Sequence, residues 1–298
     1  MTGVINRRNL LGLMTAASTA LVVGSSESST ALAAETSPPV QRYTYGSHPS
    51  QYVELTVPAG VGPFPVVVVV HGGFWSTSYG AELGRPLAAD LVKRGYAAAN
   101  LEYRRVGSSS TAGGGGWPAT GLDVAAAVDA LAVQGQQLAG GRLNLTRVVG
   151  LGHSAGGQLA GWLAARPGLP VTAPGANPKV RLTGLVAQAG VMDLVGAARE
   201  STGGSAVPSY MGGSPDKLPT AYSQASPMAR VPLHIPSVCV HGTSDTNVPI
   251  RQSERFVAAA LQAGDTSELQ RFAGNHFDLI TVGTPAWTLC TDAIARLI

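Results

Sequence analysis

The segment Gly152-His153-Ser154-Ala155-Gly156 fits the pattern G-x-S-x-G. A serine hydroxyl is barely ionised at neutral pH, so it attacks a carbonyl only with a base, an exposed position and donors for the oxyanion that forms. G-x-S-x-G provides the position when it joins a strand to a helix, because the serine then sits on a sharp, strained turn. Here it follows the strand-like Val148-Val149-Gly150-Leu151 and opens the helix-like stretch 155–165, which Pro167 ends. In a chain with 38 glycines the five letters alone could arise by chance, so it is the strand-to-helix context that makes Ser154 a candidate nucleophile. The helix N-terminus behind it also favours developing negative charge.

A second element lies upstream. His71-Gly72-Gly73-Phe74-Trp75 directly follows a run of five valines, Val66 to Val70. Small residues at a strand end let backbone N–H groups approach a carbonyl oxygen that becomes an anion. The expected oxyanion donors are the N–H groups of Gly73, Phe74 and Ala155, with the His71 ring bracing the loop. Trp75 and Trp117 are candidates for the substrate pocket wall.

Six histidines could include the base. Of those downstream of Ser154, His234 sits between prolines before a strand and His241 ends a strand. His276, in Gly274-Asn275-His276-Phe277, lies in a loop between the last strand and the last helix and is the preferred base. Asp245, in His241-Gly242-Thr243-Ser244-Asp245, follows the penultimate strand and would hold the imidazole in its productive tautomer. Asp193 is the alternative acid, and Asp278 reads as a loop cap.

These residues need a scaffold that brings strand ends together. Strand signals at 52–57, 66–70, 96–101, 147–152, 182–189, 237–240 and 268–272 alternate with helix signals at 83–94, 122–131, 155–165, 251–263 and 285–298. Such alternation implies an α/β architecture: a mostly parallel central sheet flanked by helices, with the site at the C-terminal strand ends. Ser154, the 71–75 loop, Asp245 and His276 each follow a strand signal. Residues 106–117, with Gly113 to Gly116, read as a loop. Residues 193–236, rich in Gly, Ser and Pro, read as a small cap within the domain 51–298.

Composition removes other classes. Charged residues make up 12% of the chain and hydrophobic ones 45%, which argues for a packed globular protein. A net charge of +3 without a basic stripe gives no nucleic-acid footprint. There is no H-E-x-x-H, Cys/His cluster or P-loop, so neither metal nor organic cofactor is implied. Cys239 and Cys290 are expected as buried free thiols, with a disulfide as the alternative. Residues 1–33 read as a signal peptide: Arg7-Arg8, an apolar stretch from Leu10 to Val23, and Ala31-Leu32-Ala33 as a cleavage site. The adjacent arginines suggest twin-arginine export, and the apolar stretch is too short for a comfortable membrane span. Residues 34–50 read as a linker, and the mature protein is expected outside the cytoplasm with no stable membrane span.

Taken together, the chain resembles the α/β-hydrolase superfamily, in particular its small-cap esterases and kynurenine-formamidase-like group. The matching pieces are His71-Gly72-Gly73-Phe74-Trp75, Gly152-His153-Ser154-Ala155-Gly156-Gly157, His241-Gly242-Thr243-Ser244-Asp245 and Asn275-His276-Phe277-Asp278. Ala225-Ser226-Pro227 also looks like bacterial feruloyl- and acetylxylan-type esterases and peptidase-related esterases. The resemblance implies hydrolysis of a small-molecule carboxylic ester through a Ser-His-Asp acyl-enzyme. The alternative is an arylformamidase-like or peptidase-like amide hydrolase on the same triad.

Overall fold

The computed structural model describes residues 38–298; the expected signal peptide lies outside them. Eight strands form one sheet: β1 (Gln41–Thr44), β2 (Tyr52–Thr56), β3 (Phe64–Val70), β4 (Ala97–Leu101), β5 (Leu143–His153), β6 (Gly184–Gln188), β7 (Ser237–Gly242) and β8 (Ser267–Phe272). Their order is β1-β2-β4-β3-β5-β6-β7-β8. β1–β2 and β2–β4 pair antiparallel, and every pairing from β4–β3 to β7–β8 is parallel. This is the α/β-hydrolase fold.

The helices are α1 (Arg85–Lys93), α2 (Ala119–Asp129), α3 (Gln134–Leu138), α4 (Ala155–Ala165), α5 (Leu194–Arg199), α6 (Ala206–Met211), α7 (Pro219–Ala225), α8 (Arg251–Gln262) and α9 (Pro285–Leu297). The valine run shows how the sheet is buried. Val66, Val68 and Val70 pack into one core, while Val67 and Val69 pack into the core on the opposite face. Side chains alternate across a strand, so an unbroken β-branched run is what a central strand covered on both sides requires.

One expectation is corrected. Residues 41–44 were expected within a linker but form β1, an edge strand in register with β2 from Gln41↔Leu55 to Thr44↔Tyr52. Tyr43 is the inward-facing residue and its hydroxyl donates to the Ala127 carbonyl at 3.1 Å. One inward aromatic among polar neighbours (Gln41, Arg42, Thr44) is a weak strand signal, and pairing with β2 decides it. Segment 193–236 consists of three short helices, α5 to α7, and a 3-10 turn over Pro227–Arg230.

Candidate active site

Ser154 occupies the junction between β5 and α4 with φ 55 and ψ −119. A left-handed φ at a non-glycine residue costs about 1–3 kcal/mol, so it persists only where its surroundings enforce it. Enforcement is visible on both sides. The Ser154 N–H is held by the Gln188 carbonyl at 2.8 Å, and the Ser154 carbonyl accepts from Gly157 N–H at 2.9 Å. Gly156 must lack a side chain, since a Cβ there would lie 2.1 Å from the Val70 carbonyl oxygen. α4 behind the turn is buried along its whole length, which anchors the elbow in the core.

The loop after β3 packs directly on this turn. A Cβ on Gly72 would stand 2.7 Å from the His153 carbonyl oxygen and 3.1 Å from Ser154 Cβ. Gly73, Phe74 and Trp75 all take positive φ, at 110, 56 and 53. Among the described residues the N–H groups of Gly73, Phe74 and Ala155 have no hydrogen-bond acceptor. Buried backbone donors are almost always paired. The Ala155 N–H, in a buried residue next to Ser154, is such an exception, and the half-buried Gly73 and Phe74 on the adjoining loop leave two further N–H groups unpaired.

His71 braces this loop, through partners that the motif reading did not include. Its ring stacks on Tyr103 with centroids 4.3 Å apart, and the Tyr103 hydroxyl donates to the His71 carbonyl at 2.6 Å. Its Nε2 lies 3.2 Å from Glu102 Oε1, and Arg105 lies 2.7 Å from the same oxygen. Burial pushes the Glu102 carboxyl up, but the His71 hydrogen bond and the His71 and Arg105 charges leave it below the usual range. Glu102-Tyr103-Arg104-Arg105 follows β4, and a run of charged residues at the end of an apolar strand was the available signal.

His276 and Asp245 meet. His276 Nδ1 lies 2.6 Å from Asp245 Oδ2, the geometry of a strong charge-assisted hydrogen bond. Burial raises the Asp245 carboxyl, but hydrogen bonds from His241, His276 and the Val248 N–H outweigh it and hold it well below the usual range. His241 Nε2 lies 3.4 Å from Asp245 Oδ2 and 2.8 Å from the Val248 carbonyl, while its Nδ1 accepts from Ser253 Oγ at 2.7 Å. Neither His276 Nε2 nor Ser154 Oγ has a hydrogen-bond partner among the described residues. Such contacts are often open before substrate arrives.

The other sequence candidates fall elsewhere. Asp193 caps α5, accepting from Gly196 N–H at 2.9 Å, and lies 3.6 Å from Arg255. Asp278 accepts from Asn275 N–H at 2.8 Å, as a loop cap does. Cys239 and Cys290 are free and buried, and burial pushes both thiols up to about 12. Trp75 lines the cavity at Ser154, stacks on Tyr210 at 4.5 Å and donates to Gln158 at 3.0 Å. Trp117, the other expected wall residue, is not among the cavity's lining residues: it packs edge-on against Trp162 at 5.5 Å. Its place in the core follows from α2, which starts two residues later and carries the chain toward α4.

The cavity at Ser154 is about 10 Å³, on the order of one water-sized sphere. Ala155, Phe74, Val191 and Val248 line it, and the 193–236 segment adds Thr202, Gly203, Ala206 and Val207. Among the described residues no group of three or more His, Cys, Asp and Glu side chains could hold a metal, and no helix is long and apolar enough to cross a membrane.

Comparison with known proteins agrees with the fold. Residues 54–260 match the model of the BD-FAE family. The chain is 28% identical over 252 residues to Esterase LipC of Mycobacterium tuberculosis, an alignment covering 80% of this chain and 60% of that protein. A truncated carbohydrate esterase from gut microbiota superposes with TM-score 0.71 at 18% identity, over 89% of this chain and 98% of its own. The butyrate-bound Est2 esterase of Thermogutta terrifontis superposes with TM-score 0.66 at 19% identity, over 86% and 92%. An acetyl ester-xyloside bifunctional hydrolase from Caldicellulosiruptor lactoaceticus gives TM-score 0.66 at 22% identity, over 83% and 88%.

Proposed function

Because the chain belongs to the BD-FAE family, within the α/β-hydrolase superfamily, we propose that it is a serine esterase acting on carboxylic esters of short acyl groups. Ser154 Oγ attacks the ester carbonyl while His276 Nε2 takes its proton, and Asp245 stabilises the imidazolium through Nδ1. The carbonyl oxygen becomes an oxyanion facing the free N–H groups of Gly73, Phe74 and Ala155. The intermediate collapses by breaking the bond to the alcohol oxygen, which leaves with the proton from His276. Water then adds to the acyl-enzyme, giving its proton to His276, and the carboxylic acid departs as Ser154 recovers its proton.

The observation that carries this reading is the arrangement around Ser154. A strained serine at the end of β5 adjoins a loop with unpaired backbone donors, and the 2.6 Å His276–Asp245 pair joins the loops that follow β8 and β7 at the same end of the sheet. Esters are favoured over amides because the similar proteins are described as esterases. The small cavity supports a short acyl group. The Arg7-Arg8 pair and the apolar stretch after it support export, which replacing both arginines by lysine in a reporter fusion would test.

The enzymatic test uses a fluorophosphonate probe and p-nitrophenyl esters of increasing acyl length, with N-formylkynurenine and acetylated or feruloylated sugars in the same panel. Ser154→Ala should lose both labelling and turnover. Retained labelling in that variant would end the assignment, and turnover of N-formylkynurenine above every ester would move the enzyme to the amide class.

A further inference from the structure

Thr202 sits where the cap meets the Ser154 cavity, and its place is set by how α5 ends. The Thr202 N–H donates to the Ala197 carbonyl at 2.9 Å and the Ser201 N–H to the Ala198 carbonyl at 3.4 Å. Ser201 between them takes a left-handed φ of 55. That is the paired-bond helix stop in which one left-handed residue turns the chain sharply back. The turn places Thr202 among the cavity-lining residues, beside Gly203, where a Cβ would lie 2.8 Å from the Phe74 ring. Thr202 thus adjoins the same loop that offers the free Phe74 N–H.

Thr202 is only 7% exposed, yet its Oγ1 is fully buried with no hydrogen-bond partner. A buried hydroxyl without a partner is costly, and a valine of the same shape would avoid that cost. The wall around it is apolar at Val191, Ala206, Val207 and Val248, with Asn247 and Ser154 as its other polar residues. An ester group carries two oxygens and no acidic proton, so a hydroxyl facing it can only donate.

Resting on the esterase reading above, we propose that Thr202 is a substrate-contacting residue whose hydroxyl donates a hydrogen bond to an oxygen of the ester being cleaved. The bond strengthens as charge develops on the tetrahedral intermediate, in a site from which water is largely excluded. Thr202 adds a side-chain donor from the cap to the backbone donors of the β3 loop.

The test compares Thr202→Val and Thr202→Ser with the full-length enzyme on p-nitrophenyl acetate, alongside Ser154→Ala. Thr202→Val should lower kcat/KM by about 10- to 100-fold, chiefly through kcat. Thr202→Ser, which keeps the donor, should stay within a few-fold of the parent. The valine variant should melt no lower than the parent, because it removes an unpaired buried hydroxyl. Unchanged kinetics in Thr202→Val, equal losses in the serine and valine variants, or a lowered Tm in the valine variant would each overturn the inference. The parent reading stands or falls separately on Ser154→Ala: turnover retained there refutes the esterase mechanism itself.

Discussion

His153 donates its Nε2–H to the backbone carbonyl of His276 at 3.0 Å, with the two imidazole rings 4.4 Å apart. The residue before the candidate nucleophile thereby anchors the loop that carries the candidate base. A carbonyl can only accept, so Nε2 of His153 bears the proton. Burial, and then the neighbouring His276, push the His153 pKa down to about 3. His153 is therefore neutral throughout the neutral pH range, and it adds no positive charge beside the imidazolium that the proposed mechanism would form on His276.

That neutrality has a cost in acid. Between pH 6.5 and about 3 an unfolded chain protonates this histidine while the folded one does not. The unfolded state then binds more protons, so stability falls as pH falls. At pH 5 the loss is about 2 kcal/mol. Asp245, with its folded pKa also depressed, gives a slope of the same sign but in a lower window: its stabilisation is present above the ordinary carboxylate pKa of about 3.9 and is lost as pH falls from there through the lower folded value. It therefore adds little slope in the His153 window. Thermal melts from pH 7 to 4.5 should show a shallower decline for His153→Phe than for the parent, and equal slopes would refute the assignment.

Asp245→Asn should leave the fold intact and reduce kcat by about 10³- to 10⁴-fold, because an amide no longer stabilises the imidazolium or selects its tautomer. Turnover of p-nitrophenyl acetate is the measurement. The matching substitution Asp193→Asn should leave kcat within a few-fold, since Asp193 caps α5 rather than meeting His276. The reverse ranking would reassign the acid.

Gly72→Ala places a methyl 2.7 Å from the His153 carbonyl and 3.1 Å from Ser154 Cβ. Because Gly72 does not have a left-handed φ, the effect is steric: the β3 loop must move away from the serine. A displacement near 1 Å in an oxyanion site costs roughly 10²-fold. Steady-state kinetics should show this loss mostly in kcat, with fluorophosphonate labelling slowed in parallel.

Acyl length should matter sharply. The cavity holds on the order of one water-sized sphere, and Val207, 1% exposed, closes one wall from α6. Activity should drop from acetate to butyrate esters by at least about 10-fold, and Val207→Ala should narrow the gap by easing butyrate entry. A chain-length profile identical in the two proteins would show that Val207 does not set it.

Much of this site was legible in the order of residues, because strand ends are where α/β sheets present side chains and each motif sits at one. The strand-to-helix junction at Ser154, the glycines after the valine run and the His276 loop follow from local chemistry: a β-branched run, a small-residue turn, a helix start. The sheet architecture followed from the same alternation. Residues 41–44 were not legible, since an edge strand with one buried aromatic is defined by its partner rather than by its own pattern.

What the sequence determined by itself was therefore the set of reactive side chains and the scaffold that brings strand ends together. Only the tertiary structure decided which of them meet. Asp245 and Asp193 both follow strands, and just one of them lies 2.6 Å from His276. Trp75 and Trp117 are the same residue type and each follows a glycine turn, yet one lines the cavity and the other packs on Trp162. His153 lies within the G-x-S-x-G segment and Glu102 in a charged run after β4, but neither pattern names its partner, and Thr202 carries no pattern at all. Their roles come from contacts across 123 residues for His153–His276 and 31 for Glu102–His71, and, for Thr202, from a helix stop that turns an ordinary threonine into a cavity wall. Long-range contacts of this kind depend on how layers pack, and local residue preference does not encode them.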